Sequence, residues 1–192
     1  MANLKDIGYG VGKYLEVSDA SGIPDIGTNR TNLDLLNFKV ATNNAYALYN
    51  FKDGMIDAYV DETGVDTGTS TNETYDAAND LYSPTGGNTN MTLISNAQTA
   101  ATEPTEGRLI LYEQDVDSIT LDTDLKGYVS RDGGTTYTQT LLVEDTTYET
   151  GKRLLSGSVD ISGQPSGTNM KYKIETLNNK NLKVHGSSLL WS

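Results

Sequence analysis

In 192 residues, 26 acidic side chains stand against 14 Lys and Arg, a formal net charge of -12, and there is no cysteine. Such a surplus repels a phosphate backbone, so nucleic acid is excluded as a partner, and the lack of thiols removes disulfide frameworks, Cys-ligated metals and Cys nucleophiles. Apolar residues make up 36%, with 12 Tyr against 2 Phe and 1 Trp. That balance suits thin β-layers whose rings pack while their hydroxyls stay near water.

The opening MANLKDIGYGVGKYLEV contains no apolar run of the length an export signal uses, about 7 to 15 residues. No stretch approaches a membrane span. The expectation is therefore synthesis in a cytoplasm, with no membrane partner. The glycines at Gly8, Gly10 and Gly12 lack dinucleotide-loop spacing and open no helix. Residues 1–30 read instead as an extended arm that orders against a neighbouring subunit.

Residues 31–55 change rhythm. Leu33, Leu36, Val40, Ala41, Asn44, Ala47, Leu48 and Phe51 recur near a 3.6 period, Thr31 or Asn32 can cap the start, and Gly54 follows the expected end. This predicts a helix of about five turns. Its stripe can lie on the chain's own β domain with Asn44 at the margin. On a three-fold bundle, Asn44 would instead pair with its copies and fix register. Leu33, Leu36, Val40, Asn44 and Leu48 are accordingly the expected assembly residues.

Residues 56–192 read as one antiparallel β-sandwich of jelly-roll type, built from short strands with turn signals between them. The acidic stretch from Asp53 to Tyr82 holds MIDAYVDETGVD as an entry strand and ETYDAANDLYS as an irregular second one, and SPTGGNTN is a loop. MTLIS, RLILYE, SITL, KRLLSGSVDI, MKYKIETL and LKVHGSSLLW follow as strands. The clearest hairpin is Asp124 to Val143. Leu125 and Val129 alternate with polar residues before Arg131-Asp132-Gly133-Gly134, and Tyr137, Leu141 and Val143 share a parity after it. Asp-Gly and Gly-Gly supply positive φ cheaply, as a tight turn requires. The expected core includes Leu109, Leu111, Val129, Leu141, Val159, Ile174 and Val184. Ser130, Asp132, Gly134, Thr136 and Tyr137 resemble the Asp-box, a turn in which a carboxylate gathers backbone amides. One copy is too few for a propeller, so the motif reads as a structural staple.

No catalytic constellation emerges. Asp115, Asp117, Asp122 and Asp124 flank a short stretch and could offer oxygens to calcium, but no EF-hand ladder is present and solvated acidic turns are the simpler reading. A glycosidase needs two carboxyls facing across a cleft, which sequence alone does not show here. His185, the single histidine, alternates outward with Lys183 and reads as a surface residue, leaving a Ser-His-Asp set without a base. No cofactor is implied. Tyr128, Tyr137, Tyr172 and Trp191 are the candidate glycan contacts, with core closure the competing role for Trp191.

DETGVDTGTSTNETYDAANDLYS, LISNAQTAATEPTEGRLILYE, LKGYVSRDGGTTYTQTLLV, VDISGQPSGTNMKYKIETLN and KVHGSSLLW, taken together, resemble segments of virion structural proteins from marine tailed bacteriophages. That resemblance implies a non-enzymatic tail, fibre or capsid-decoration protein ending in a β-sandwich. It would work on the virion surface among other virion proteins, as a homotrimer, with a host-surface glycan as a further partner. A carbohydrate-binding adhesion module is the alternative, and a small glycan-cleaving enzyme a third class.

Overall fold

A computed structural model describes residues 26–149 and 151–192. The chain divides into two units, one ending at Asn37 and one running Phe38–Ser192. Helix α1, Ile26–Leu48, begins before the expected start, so residues 26–30 are helical rather than extended; the rest of the expected arm lies outside the described residues. The helix stops because Asn50 takes a left-handed φ of 55°, a conformation Asn tolerates after a helix end. Gly54 does not cap it and instead lies in the first strand.

The remaining elements are strands β1 (Asp53–Asp57), β2 (Glu73–Asp76), β3 (Leu81–Pro84), β4 (Thr92–Ile94), β5 (Gln98–Thr99), β6 (Glu106–Asp115), β7 (Leu125–Ser130), β8 (Thr138–Thr140), β9 (Val143–Glu149), β10 (Lys152–Asp160), β11 (Asn169–Thr176) and β12 (Leu182–Trp191). A 3-10 turn, Thr85–Gly87, follows β3. The stretch read as one irregular strand is the antiparallel pair β2–β3, and the SITL stretch forms no strand.

Seven strands make one sheet in the order β2-β3-β12-β6-β10-β9, with β1 also on β12; five make the other, β4-β11-β7-β8, with β5 on β11. Every named pairing is antiparallel. The central quartets β3-β12-β6-β10 and β4-β11-β7-β8 carry the strand order of a jelly roll, in which successive strands pass from one sheet to the other. The described residues are thus mainly β, an antiparallel jelly-roll sandwich preceded by helix α1.

The two inner faces enclose Leu109 and Leu111 of β6, Leu125 and Val129 of β7, Tyr172 and Ile174 of β11, and Val184, Leu189 and Trp191 of β12. The expected core residues Leu109, Leu111, Val129, Ile174 and Val184 are buried there, and Val159 is partly buried against them. Leu141 is not: it is 70% exposed, and Leu142 enters the core at 3%. The parity fails because the second hairpin arm is two strands. β8 belongs to the five-stranded sheet and β9 to the seven-stranded one, so the chain crosses between layers at Leu141-Leu142. Gly157 makes room for that crossing, since a Cβ there would lie 2.3 Å from the Leu141 carbonyl oxygen.

On its outer side, the seven-stranded sheet buries Ile110, Tyr112, Leu154 and Leu190. Phe38 stacks on Tyr112 with centroids 6.3 Å apart, and Arg108 lies over the Tyr49 ring at 4.3 Å. Among the helical positions whose side chains are described, Asp34, Phe38, Thr42 and Ala45 are buried, whereas Leu33, Leu36, Val40, Asn44 and Leu48 are exposed. The periodic stripe is therefore not the face that Phe38 and Ala45 bury. No helix among the described residues is long and apolar enough to cross a membrane.

Candidate functional site

The outer face of the five-stranded sheet is the place where aromatic and polar side chains converge. Burial alternates along β11, Asn169–Thr176, so that Met170, Tyr172 and Ile174 point inward and Lys171, Lys173 and Glu175 point out. Strand β7 lies beside it with Tyr128 opposite Lys173 and Lys126 opposite Glu175. On β7's far side, Tyr128 is opposite Gln139 of β8.

The turn from β7 to β8 brings a second ring to this face. Ser130 donates to Asp132 Oδ1 at 2.8 Å, and the same oxygen accepts the amides of Thr135 at 3.0 Å and Thr136 at 2.9 Å. The Gly134 amide donates to the Ser130 hydroxyl at 2.9 Å, with φ of +80° and +92° at Gly133 and Gly134. Burial opposes the Asp132 charge, yet these donors outweigh it and hold the carboxyl below its usual range. The Asp-box is thus a structural staple, and what it positions is Tyr137.

Lys173 Nζ lies 4.2 Å from the Tyr128 ring centroid and 5.0 Å from that of Tyr137, both within cation–π range. Its ammonium also pairs with Glu175 at 2.7 Å, and Lys171 pairs with Asp66 at 2.8 Å. Burial, with the Glu175 carboxylate beside its hydroxyl, pushes the Tyr128 phenol up to about 12. The Tyr137 phenol reaches about 12 through burial and the nearby Asp66 and Asp132 charges. Both rings keep part of their surface open to solvent. Chemically, this is a strip of two rings with ammonium donors and carboxylate acceptors in line.

Two of the four candidate contacts are absent from it. Tyr172 is fully buried, its hydroxyl 3.3 Å from that of Tyr59, and Trp191 is 3% exposed and closes the core. Sequence could have flagged Tyr172, because it shares the inward parity of Met170 and Ile174.

The other candidate carboxylates are spoken for locally. Asp115 pairs with Arg153 at 2.7 Å, Asp117 accepts the Asn181 amide, Asp122 accepts the Leu142 amide, and Asp124 accepts from Thr120 and Asn178. Among the described residues, no group of three or more His, Asp or Glu is arranged to hold a metal ion.

One ionisable cluster went unread in the sequence. Glu113 is fully buried, with Arg153 3.0 Å from its Oε2, and the same guanidinium serves Asp115 and, at 3.7 Å, Glu144. Burial and the neighbouring Asp115 raise the Glu113 carboxyl to about 8 against the pull of Arg153. His185 is not an open surface residue either. It is half-buried against Tyr112, with Nε2 3.0 Å from Gln114 Oε1, and burial together with Lys152 and Lys183 lowers it to about 4.

These two groups act on stability with opposite sign. The unfolded chain protonates His185 near 6.5 and the folded one only near 4, so that contribution is lost as pH falls through this window. The folded chain holds the Glu113 proton up to about 8 while the unfolded chain releases it near 4.5. That contribution is lost as pH rises between those values. The expected outcome is that His185→Gln flattens the acid limb of a Tm-against-pH curve, and Glu113→Gln the decline on its neutral side, as read by differential scanning fluorimetry.

No protein-family model matches the chain. Among solved structures, a low affinity xylan binding module, CBM86, from the gut symbiont Roseburia intestinalis aligns with 73% of this chain and 97% of its own, at 8% identity and a TM-score of 0.43. A family GH115 4-O-methyl-alpha-glucuronidase with specificity for decorated arabinogalactans aligns with 73% of this chain and 16% of its own, at 9% identity and a TM-score of 0.34. At these scores neither likeness carries a functional argument, and the case for a role rests on the strip of Tyr128, Tyr137 and Lys173.

Proposed function

We propose that this protein is a non-enzymatic recognition domain that binds a glycan on the outer face of its five-stranded sheet. One observation carries the reading: Tyr128 and Tyr137, from different parts of a hairpin, bracket Lys173 within 5.0 Å on a solvent-facing surface. Sugars present C–H faces that stack on aromatic rings and hydroxyls that need paired donors and acceptors, and the strip offers both. A polysaccharide array followed by isothermal titration tests this. Tyr128→Ala and Tyr137→Ala should each weaken binding by about tenfold, the loss of roughly 1.4 kcal/mol of stacking, with Tm nearly unchanged. Binding unaffected by both substitutions would move the site elsewhere.

A second reading concerns how such a domain is carried. Leu33, Leu36, Val40 and Leu48 stand exposed on α1, an apolar row that water solvates poorly. The row supports assembly through the helix. Together with the resemblance to virion proteins, it favours a homotrimer on the surface of a bacteriophage particle. Light scattering on the full chain should return three times the monomer mass; a monomer would rule self-trimerisation out.

A further inference from the structure

The charge arrangement on the Tyr128–Tyr137 strip points to the kind of glycan it takes. A face built for an acidic sugar needs a cation free to meet the ligand's carboxylate. Here the ammonium that lies over both rings is neutralised by a neighbour, Lys173 by Glu175 at 2.7 Å, and Lys171 on the same strand face is neutralised by Asp66 at 2.8 Å; Lys126, opposite Glu175 on β7, is the other cation of this face. The four paired side chains are largely covered, with between 14% and 24% of each exposed. A ligand carboxylate would therefore have to displace an internal partner already held by the fold, and would approach a chain whose net charge is -12. Both effects work against anionic ligands.

The same pairs suit uncharged sugars. Each places a donor beside an acceptor, the complement of two adjacent hydroxyls, which can donate one hydrogen bond and accept another. Lys171 and Lys173 are two residues apart on one strand face, so the pairs repeat about 6.5 Å apart along β11, with the Tyr137 ring 5.0 Å from Lys173 Nζ. The Lys171 stem and the Tyr137 hydroxyl both pack on Gly134, where a Cβ would lie 2.8 Å from Tyr137 Oη and 3.3 Å from Lys171 Cδ.

We infer that the ligand is a neutral glycan with vicinal hydroxyls, read by the ion pairs Lys173–Glu175 and Lys171–Asp66, and that uronate-bearing glycans are rejected. This rests on the glycan-binding reading above. The test is an array of neutral polysaccharides (glucans, mannans, galactans) and carboxylated ones (polygalacturonate, alginate) run on the full chain, with titrations at low and high salt. The expected result is binding to at least one neutral member, at least about tenfold tighter than to any carboxylated member, with affinity nearly independent of salt. Glu175→Gln, which keeps the shape and removes the acceptor charge, should weaken that binding by about tenfold and leave Tyr128 stacking intact. Preferential binding of polygalacturonate or alginate that collapses at high salt would overturn the inference and leave the glycan reading standing. Binding to no member of the array would overturn the glycan reading itself.

Discussion

Replacing Trp191 by alanine should lower the unfolding free energy by about 3 to 5 kcal/mol, the range for deleting a large buried ring. Trp191 is 3% exposed among the core side chains of both sheets, on a strand hydrogen-bonded to β6 and β1. Its indole Nε1 is buried and has no hydrogen-bond partner among the described residues. Trp191→Phe should therefore cost far less than the alanine change, since it keeps most of the ring and removes an unmatched donor. Urea unfolding of the three proteins checks this, and their glycan affinities should be equal while they are folded. A stable Trp191→Ala protein that no longer binds glycan would return the residue to the binding surface.

Arg131→Ala should cost about 3 kcal/mol, several charged hydrogen bonds partly replaced by water. The residue follows the staple's first serine and is 5% exposed. Its guanidinium donates to the carbonyls of Pro104 at 2.8 Å, Ser162 at 3.0 Å, Gln164 at 2.5 Å and Pro165 at 3.1 Å, and pairs with Glu103 at 3.1 Å. Its backbone amide donates to Gln164 Oε1, while Gln164 Nε2 returns bonds to the Val129 carbonyl and the Thr138 hydroxyl. One side chain thus ties the hairpin to two loops. Arg131→Lys should recover only part of the loss, because an ammonium cannot span the fork of acceptors that a planar guanidinium reaches. A denaturation midpoint unmoved by Arg131→Ala would show the loops to be held by other means.

What sequence reveals here follows from the range of the forces involved. The β7–β8 turn was legible because it depends on neighbours: Asp132 needs only amides three and four residues on, and Gly133 and Gly134 need only their own φ. The alternation of Met170, Tyr172 and Ile174 with Lys171, Lys173 and Glu175 in MKYKIETL is legible for the same reason. Leu141 misled because parity says which residues share a face but not where a chain leaves its sheet, and that crossing is set by Gly157 on another strand. Helix α1 misled in a different way. Its apolar rhythm is real, yet what Phe38 meets is Tyr112, a residue far along the chain that a helical repeat cannot name. The binding strip divides similarly. Tyr128 was readable as an outward-facing ring from the alternation with Leu125 and Val129, whereas Tyr137 shares the parity of Leu141 and is turned out by the staple, and the meeting of Lys173 with both rings depends on the β7–β11 register. Arg131, inside the most legible turn, was unreadable as an anchor because its acceptors come from residues 104 and 162–165.

Strand β12 lies inside its sheet, between β6 on one side and β1 and β3 on the other, although it follows all of them in the chain. While Leu182–Trp191 is unpaired, β6 has one open hydrogen-bonding edge, and β1 and β3 have none of their partners in β12. Local collapse of the earlier hairpins cannot close that gap. Capture of β12 by strands as distant in sequence as Asp53, the partner of Trp191, is therefore the step expected to limit folding, a search whose entropy is lost before any contact rewards it. Until then the open edge of β6 invites pairing with another chain. Refolding should consequently be slow and increasingly diverted into aggregates as concentration rises, even though β12 covers that edge in the finished sandwich.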